Sequence, residues 1–430
     1  MAGDPRMDAQ LRVNGTAPAG DDVHVDVVGR EGFRMVLHAG TAPEIAEHHR
    51  GDAHRTLRSH EEPTTPRRRL LIAVGPTAGH VYPALAIAEA YRARHPDVDV
   101  RFAGAGNALT ARLLGRAGYA LEPVSGSQLV NVGLGARLAA AGRVVKGLAQ
   151  ARRLLRARRT RLVLGVGGYA SGAILLAART LGARVAIHEA NVVPGLTNRL
   201  LAPFAHRVYL GSAAALPAFA GRGPLVTGHP VRADIAALAT GHRAAPEGDR
   251  PARVLVLSST RGERFLAERA PELLAAVERR GVAVEVLHQA GQLPADAVAH
   301  AYRRAGVKAT VAPYLDEIAS AYRWADVVVA RSGAGTIAEV AAAGVPALLV
   351  PLTDAPRDHQ AANAAAFAAA GAGLAVRETD WQRDPLAAWV ATLLGAGGWT
   401  SAAAAARGLA RPDAAARIVA DCELAMTDRW

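Results

Sequence analysis

What most limits how this chain can fold is an alternation that starts at Leu70 and then repeats. Short apolar runs at 70–74, 98–103, 162–165 and 183–188 read as strands, with helical stretches at 83–95 and 172–181 between them. After Gly228-His229-Pro230 a second series follows, with strands expected at 254–257, 284–288, 310–311, 327–329 and 347–350. Strands that alternate with helices predict parallel sheets covered on both faces. Two such series in 430 residues fit two α/β domains, since one domain takes roughly 150 residues. Scarce aromatics and abundant Ala and Gly suit helices packed closely on such strands.

Residues 1–68 read differently. They hold six of the fifteen histidines and close on Pro63-Thr64-Thr65-Pro66-Arg67-Arg68-Arg69, with a short strand expected at 23–28. The segment reads as a weakly ordered extension or a small accessory element, or else as a start codon assigned too far upstream. The expected boundaries are therefore an extension at 1–68, a first domain at 69–230 and a second at 231–430. A polar stretch rich in Pro and Gly at 241–251 reads as a linker near the junction, and a last helix at about 401–426 is left without an assigned docking face. No apolar run reaches the ~18 residues needed to span a bilayer, and the start of the chain lacks the apolar core of a secretory signal. The single cysteine, Cys422, has no internal partner, which fits a reducing cytoplasm.

The formal net charge is +12. Basic chains bind nucleic acid, acidic membranes or phosphorylated small molecules, and the position of the charge helps to choose. Between Glu122 and Glu189 there is no acidic residue but eleven Arg and Lys, nine of them from Arg137 to Arg161. Zinc-finger spacing and aromatic-studded RNA signatures are absent from the sequence, so nucleic acid is the poorer choice. Leu138, Val144, Val145, Leu148, Leu154 and Leu155 are interleaved with Arg143, Lys146, Arg152, Arg153, Arg156, Arg158 and Arg159. Two readings stand: an amphipathic helix lying on an anionic membrane, or a helix packed on the sheet with an ordinary basic outer face.

Three loops carry chemistry. Gly75-Pro76-Thr77-Ala78-Gly79-His80 joins a strand to a helix, where open N–H groups and a partial positive charge suit a diphosphate. His80 adds a titratable ring suited to a general base; its bland reading is a residue that caps the turn. Gly165-Val166-Gly167-Gly168-Tyr169-Ala170-Ser171-Gly172 forms a second anion-friendly turn, followed by His188-Glu189-Ala190-Asn191. The third cluster is the most specific. Arg331-Ser332-Gly333-Ala334-Gly335-Thr336 opens a helix that carries Glu339 one turn in, where a carboxylate can accept both hydroxyls of a ribose. Past Gly344-Val345-Pro346 come Asp358, His359, Gln360 and Asn363, residue types that read sugar hydroxyls.

With these motifs in place, the chain resembles the MurG glycosyltransferases. The resemblance rests on Gly75 to His80 with Tyr82-Pro83-Ala84, on Gly167-Gly168-Tyr169 with Ser171-Gly172, and on His188-Glu189 with Asn191. It continues through Pro194-Gly195-Leu196 with Asn198, Thr227-Gly228 with Pro230-Val231-Arg232, His288-Gln289, Ser332-Gly333-Ala334 with Thr336 and Glu339, and Asp358-His359-Gln360 with Asn363. It implies a GT-B fold, with two Rossmann-like domains facing a cleft. It also implies inverting transfer of N-acetylglucosamine from UDP-N-acetylglucosamine to a lipid-linked pyrophosphoryl muramyl-pentapeptide, at the cytoplasmic side of the cell membrane. No metal or cofactor is implied.

By the same resemblance, His80 is the candidate base, while Thr77, Ala78, Gly79, Gly168, Tyr169 and Ser171 form the acceptor and diphosphate loops. Ala334, Gly335 and Thr336 hold the donor diphosphate, Glu339 the ribose, and main-chain groups near Tyr314 and Leu315 the uracil. Arg232 lies near the nucleotide, Thr260 keeps a hydroxyl in the loop that opens the second domain, and Asn191, His359, Gln360 and Asn363 belong to the donor-sugar pocket. Departures from the family pattern are Pro76, Ala78, Ser258-Ser259-Thr260-Arg261-Gly262, Ala190 and His229, which stands where asparagine is usual. Pro76 and Ala78 are expected to stiffen the first loop and slow transfer to the lipid acceptor. The alternatives are a family offshoot that acts on a soluble acceptor and a sugar-nucleotide epimerase of the same fold.

Overall fold

The computed structural model describes residues 69–126, 134–241, 243–246, 250–258, 263–395 and 398–426, together with two short antiparallel strands, β1 (Val27–Val28) and β2 (Arg34–Met35). The side chains of residues 134–141 lie outside that description.

The first lobe is built on β3 (Arg69–Ala73), β4 (Asp99–Gly104), β5 (Leu121–Pro123), β6 (Leu162–Gly165), β7 (Arg184–Glu189), β8 (Arg207–Leu210) and β9 (Leu225–Val226). Every pairing is parallel, in the order β5-β4-β3-β6-β7-β8-β9. The second lobe holds β10 (Ala252–Leu257), β11 (Val284–Gln289), β12 (Ala309–Ala312), β13 (Val327–Ala330), β14 (Ala347–Leu349) and β15 (Gly373–Ala375), again all parallel, in the order β12-β11-β10-β13-β14-β15. Both sheets bury apolar side chains on each face, as parallel sheets must. Strand order reverses between β3 and β6 in one sheet and between β10 and β13 in the other. Those switch points open a crevice outside the carboxyl ends of the strands, where doubly wound folds bind ligands.

The helices of the first lobe are α1 (Ala78–Arg94), α2 (Ala108–Arg116), α3 (Leu134–Arg158), α4 (Tyr169–Thr180) and α5 (Leu196–Leu201). After the crossing come α6 (Ala233–Ala236), α7 (Glu263–Glu278), α8 (Ala295–Ala305), α9 (Ile318–Trp324), α10 (Ala334–Ala343), α11 (His359–Ala369), α12 (Arg383–Gly395), α13 (Gly398–Leu409) and α14 (Ala414–Met426). The apolar strands lie where the alternation puts them. The strands β5, β8, β9 and β15 were not expected, because two to four residues give no readable period. Helix α1 starts earlier than expected, with Pro83 inside it. The single last helix expected at about 401–426 is two helices, broken at Pro412.

The second of that pair crosses back. Ile418, Val419 and Cys422 of α14 join the core that holds Leu85, Ala88 and Tyr91 of α1. Tyr209 donates its hydroxyl proton to Asp421 at 2.8 Å, and Glu423 pairs with His95 and Arg94 at 2.5 Å. The last helix, grouped with the second domain from the sequence, therefore packs on the first lobe.

Candidate active site

At the first switch point, two loops meet around one imidazole. A Cβ on Gly75 would stand 2.5 Å from His80 Nδ1, and one on Gly167 would stand 2.8 Å from Nε2. These glycines make room for the ring. Gly168 has φ +92°, and its Cβ would fall 2.4 Å from the Gly75 Cα, so the two backbones touch. Gly167, at φ +100°, shares that left-handed half of conformational space, which L side chains avoid.

Thr77 is the N-cap of α1, but its hydroxyl lies 2.8 Å from His80 Nδ1 and does not cap the helix. The first-turn N–H groups of Ala78 and Gly79 thus stay open to an anion. If Nδ1 carries the proton and donates to Thr77, the Nε2 lone pair is the basic one. Burial pushes the ring down to about 4, so it is neutral at pH 7 and able to take a proton. Ala78 is the first residue of α1 and helical, not left-handed. The strain expected from alanine in this loop is absent, because the chain bends at Pro76 and Thr77 and Ala78 is already helical. Pro76 has an unexpected use: its carbonyl accepts from Asn107 Nδ2 at 2.9 Å. Ser171 does not face the cleft. It is buried, with Oγ 2.6 Å from the Gly167 carbonyl and 3.2 Å from that of Ala73, and so ties the loop to the sheet. Tyr169, at the head of α4, is exposed.

Between the lobes lies a chain of amides. Buried Glu189 accepts from the Asn191 main chain and side chain, from Gly195 N and from Asn198 Nδ2, all at 2.9–3.1 Å. Asn191 Oδ1 accepts from Asn363 Nδ2 at 3.1 Å, while Asn363 Oδ1 accepts from Val192 N at 2.9 Å. Asn363 Nδ2 also lies 3.3 Å from the Ser332 carbonyl, and Ser332 Oγ donates to the Gln360 carbonyl at 2.9 Å. Asn191 and Asn363, which the resemblance places in the donor-sugar pocket, hydrogen-bond each other across the cleft.

On the second lobe, α10 opens with Gly333 as its N-cap and no side-chain cap bond, so Ala334, Gly335 and Thr336 head an uncapped helix. Glu339, one turn in, accepts from the buried Tyr322 hydroxyl at 2.9 Å. Burial raises its carboxyl to about 7, against the lowering influence of Tyr322 and the Arg232 guanidinium. Arg232 pairs with Asp234 at 2.8 Å and stands 5.9 Å from the Tyr82 ring centre. Leu315 N donates to Gln289 Oε1 at 3.1 Å. Gln360 Oε1 accepts from Leu352 N at 3.0 Å, which leaves its amide N–H groups. His359 Nδ1 lies 2.8 Å from the Pro356 carbonyl. Arg357 and Asp358, just before α11, both have positive φ, of 58° and 54°. This is local strain of the kind that gathers at ligand clamps. Thr260 lies outside the described residues.

Three features were not singled out from the sequence. The Tyr82 and Tyr314 hydroxyls meet at 2.5 Å across the cleft. Tyr322, buried behind Glu339, sets that carboxylate's direction. His188 and His229 stack with ring centres 5.2 Å apart. Tyr82 was read only as part of the first motif and Tyr314 only for its main chain, and no local spacing pairs residues so far apart in sequence.

Two family models match the chain. The glycosyltransferase family 28 N-terminal domain matches residues 70–210, and the glycosyltransferase family 28 C-terminal domain matches 253–418. A protein of Magnetococcus marinus named UDP-N-acetylglucosamine–N-acetylmuramyl-(pentapeptide) pyrophosphoryl-undecaprenol N-acetylglucosamine transferase is 39% identical over 356 residues, 82% of this chain and 96% of that protein. The crystal structure of Acinetobacter baumannii MurG superposes with a TM-score of 0.68 at 30% identity, covering 83% of this chain and 99% of that one. A UDP-N-acetylglucosamine 2-epimerase structure from Listeria monocytogenes reaches a TM-score of 0.59 at 16% identity over 84% of this chain and 98% of its own, a likeness of fold alone.

Proposed function

This chain belongs to glycosyltransferase family 28, and from that premise we propose that it moves N-acetylglucosamine from UDP-N-acetylglucosamine to a lipid-linked muramyl-pentapeptide pyrophosphate. The observation that carries the reading is 39% identity to a transferase of that name over 96% of that protein's length. The two Rossmann-like lobes facing a cleft are the GT-B arrangement.

In this reading the acceptor pyrophosphate lies against the uncapped start of α1 and the loop at Gly168 and Tyr169. His80 Nε2 takes the proton of the attacking acceptor hydroxyl. The oxygen bonds to the anomeric carbon from the face opposite UDP, and the carbon–phosphate-oxygen bond breaks with inversion. The departing diphosphate is met by the N–H groups of Ala334, Gly335 and Thr336, where the dipole of α10 favours negative charge. Glu339, held by Tyr322, accepts from the ribose hydroxyls, with Arg232 nearby. Leu315 offers the uracil its carbonyl, since its N–H is held by Gln289. Gln360 and His359 meet the sugar, while Asn191 and Asn363 position that pocket from behind.

The membrane role falls to α3 and its surroundings. Ala151 and Leu155 of α3 are buried, whereas Arg143, Lys146, Arg153 and Arg156 are exposed and Val145 is 67% exposed. Helix α4 packs on α3 and on α5, and the apolar Leu200 of α5 and Phe204 just past it are also exposed, at 63% and 50%. Basic and apolar groups side by side suit peripheral attachment to an anionic, cytoplasm-facing lipid surface. Among the described residues no helix is long and apolar enough to cross a membrane.

The deciding experiment mixes the protein with labelled UDP-N-acetylglucosamine, with and without purified lipid-linked acceptor. UDP release that requires the lipid supports the reading. Release with a soluble acceptor alone replaces it with the offshoot, and sugar inversion without UDP release replaces it with an epimerase.

A further inference from the structure

His229 is 6% exposed, yet neither ring nitrogen has a hydrogen-bond partner among the described residues. Nδ1 is fully enclosed. Nε2 is directed at the first turn of α10, 3.6 Å from where a Cβ on Gly335 would stand. An alanine at 335 would meet the ring only in ordinary contact, so the missing side chain is not needed to admit the imidazole. It keeps a gap between Nε2 and the uncapped N–H groups of Ala334, Gly335 and Thr336. A buried polar ring without a partner is costly. A ligand at the head of α10 supplies one to the only nitrogen that faces outward.

We propose that His229 is a ligand of the donor diphosphate, its Nε2–H donating to a phosphate oxygen seated on the first turn of α10. The proposal rests on the UDP-donor reading above and adds one contact to it. A neutral ring with its proton on Nε2 suffices, and no proton changes hands in binding. When the sugar leaves, the phosphate oxygen gains charge and the same hydrogen bond strengthens, which favours departure. The titratable groups that act on the ring are His188, at 5.2 Å between centres, and His80 on α1, while the Cβ and Cγ of Arg411 pack beside the preceding Gly228. None of them hydrogen-bonds His229, so the position at Nε2 is open to a ligand.

The test compares UDP with uridine, which lacks the phosphates, by calorimetry on the full chain. His229→Phe keeps a ring without nitrogen, and His229→Gln keeps an N–H near the Nε2 position. We expect the Phe variant to bind UDP about tenfold or more weakly, with uridine affinity unchanged and the Gln variant keeping most UDP affinity. Unchanged UDP affinity in the Phe variant overturns the proposal. So does an equal loss for UDP and uridine, which would mean that the ring only shapes the pocket. If the Phe variant melts early, His229→Ala repeats the comparison on the same criteria. A native protein that binds neither UDP nor uridine overturns the donor reading itself.

Discussion

His80 and Glu339 show how the same force, burial, acts oppositely on a base and an acid. Burial disfavours charge, so it lowers the imidazole to about 4 and raises the carboxyl to about 7. His80 is thereby kept neutral for proton abstraction, while Glu339 sits near half-ionised at neutral pH until a ligand supplies donors. Glu339→Ala should weaken UDP binding about ten- to a hundredfold, the worth of a charged hydrogen-bond acceptor. Calorimetry that finds UDP affinity unchanged would remove Glu339 from the ribose site. His80→Ala should instead lower turnover by about a hundred- to ten-thousandfold and leave UDP affinity nearly as it was. Initial rates at saturating donor decide it, and a variant that keeps most of its turnover would leave His80 only the role of filling the space between Gly75 and Gly167. Both residues were readable from the sequence because each stands at a strand-to-helix junction, a local feature. The partners of Ser171, Asn191 and Asn363 were not legible there, because they are carbonyls and amides that folding brings up from distant positions.

Among the elements, α3 fits the packed-helix reading of the basic stretch and leaves a basic outer face for the proposed membrane contact. It packs on the lobe through Ala151 and Leu155, and it presents Arg143, Lys146, Arg153 and Arg156 outward. Each basic residue near an anionic surface adds about 1 kcal/mol, screened by salt. The protein should therefore sediment with anionic vesicles at low salt and be released as salt rises, and the combined Lys146→Glu, Arg153→Glu and Arg156→Glu variant should sediment poorly throughout. Equal sedimentation with neutral vesicles would assign the attachment to the apolar patch at Leu200 and Phe204 in place of the charges. Helices α1 and α10 form a second pair of related elements. Both begin without a side-chain cap, and they come into contact across the cleft. An uncapped helix start is a cost that a bound anion relieves.

Over the whole molecule, buried histidines set the response to acid. His80, His188, His229 and His288 are all held below the usual 6.5, largely by burial. A group whose folded value is depressed contributes stability above its unfolded value and loses it as pH falls toward the folded one. For His80 and His188 that window runs from 6.5 down to about 4, and for His288 to about 3. Glu339 works the other way: raised from 4.5 to about 7, it favours the folded state at low pH and loses that contribution as pH rises to 7. His206 is lowered as well and the Glu89 carboxyl is raised, so five imidazoles against two carboxyls give the net sign, and the urea midpoint should fall between pH 7 and pH 5. A midpoint that rises over that range would mean that these rings are protonated in the folded protein. The lobes themselves are joined by the Asn191–Asn363 contact and by α14, which returns the chain to the sheet where it began.

The two parallel sheets and the glycine-bearing loops at their carboxyl ends were legible in the residue pattern alone. Those follow from the period of apolar residues and from glycine at turns, which act over a few neighbouring positions. Which groups meet was settled by folding. Asn191 and Asn363 are 172 positions apart, and Tyr82 and Tyr314 are 232 apart. It also decided that Gly75 and Gly167 serve the His80 ring, that α14 docks on the first lobe, and that His229 points at the head of α10. Contacts of that kind depend on how two separately formed sheets pack, and no local pattern in the chain encodes the distance between them.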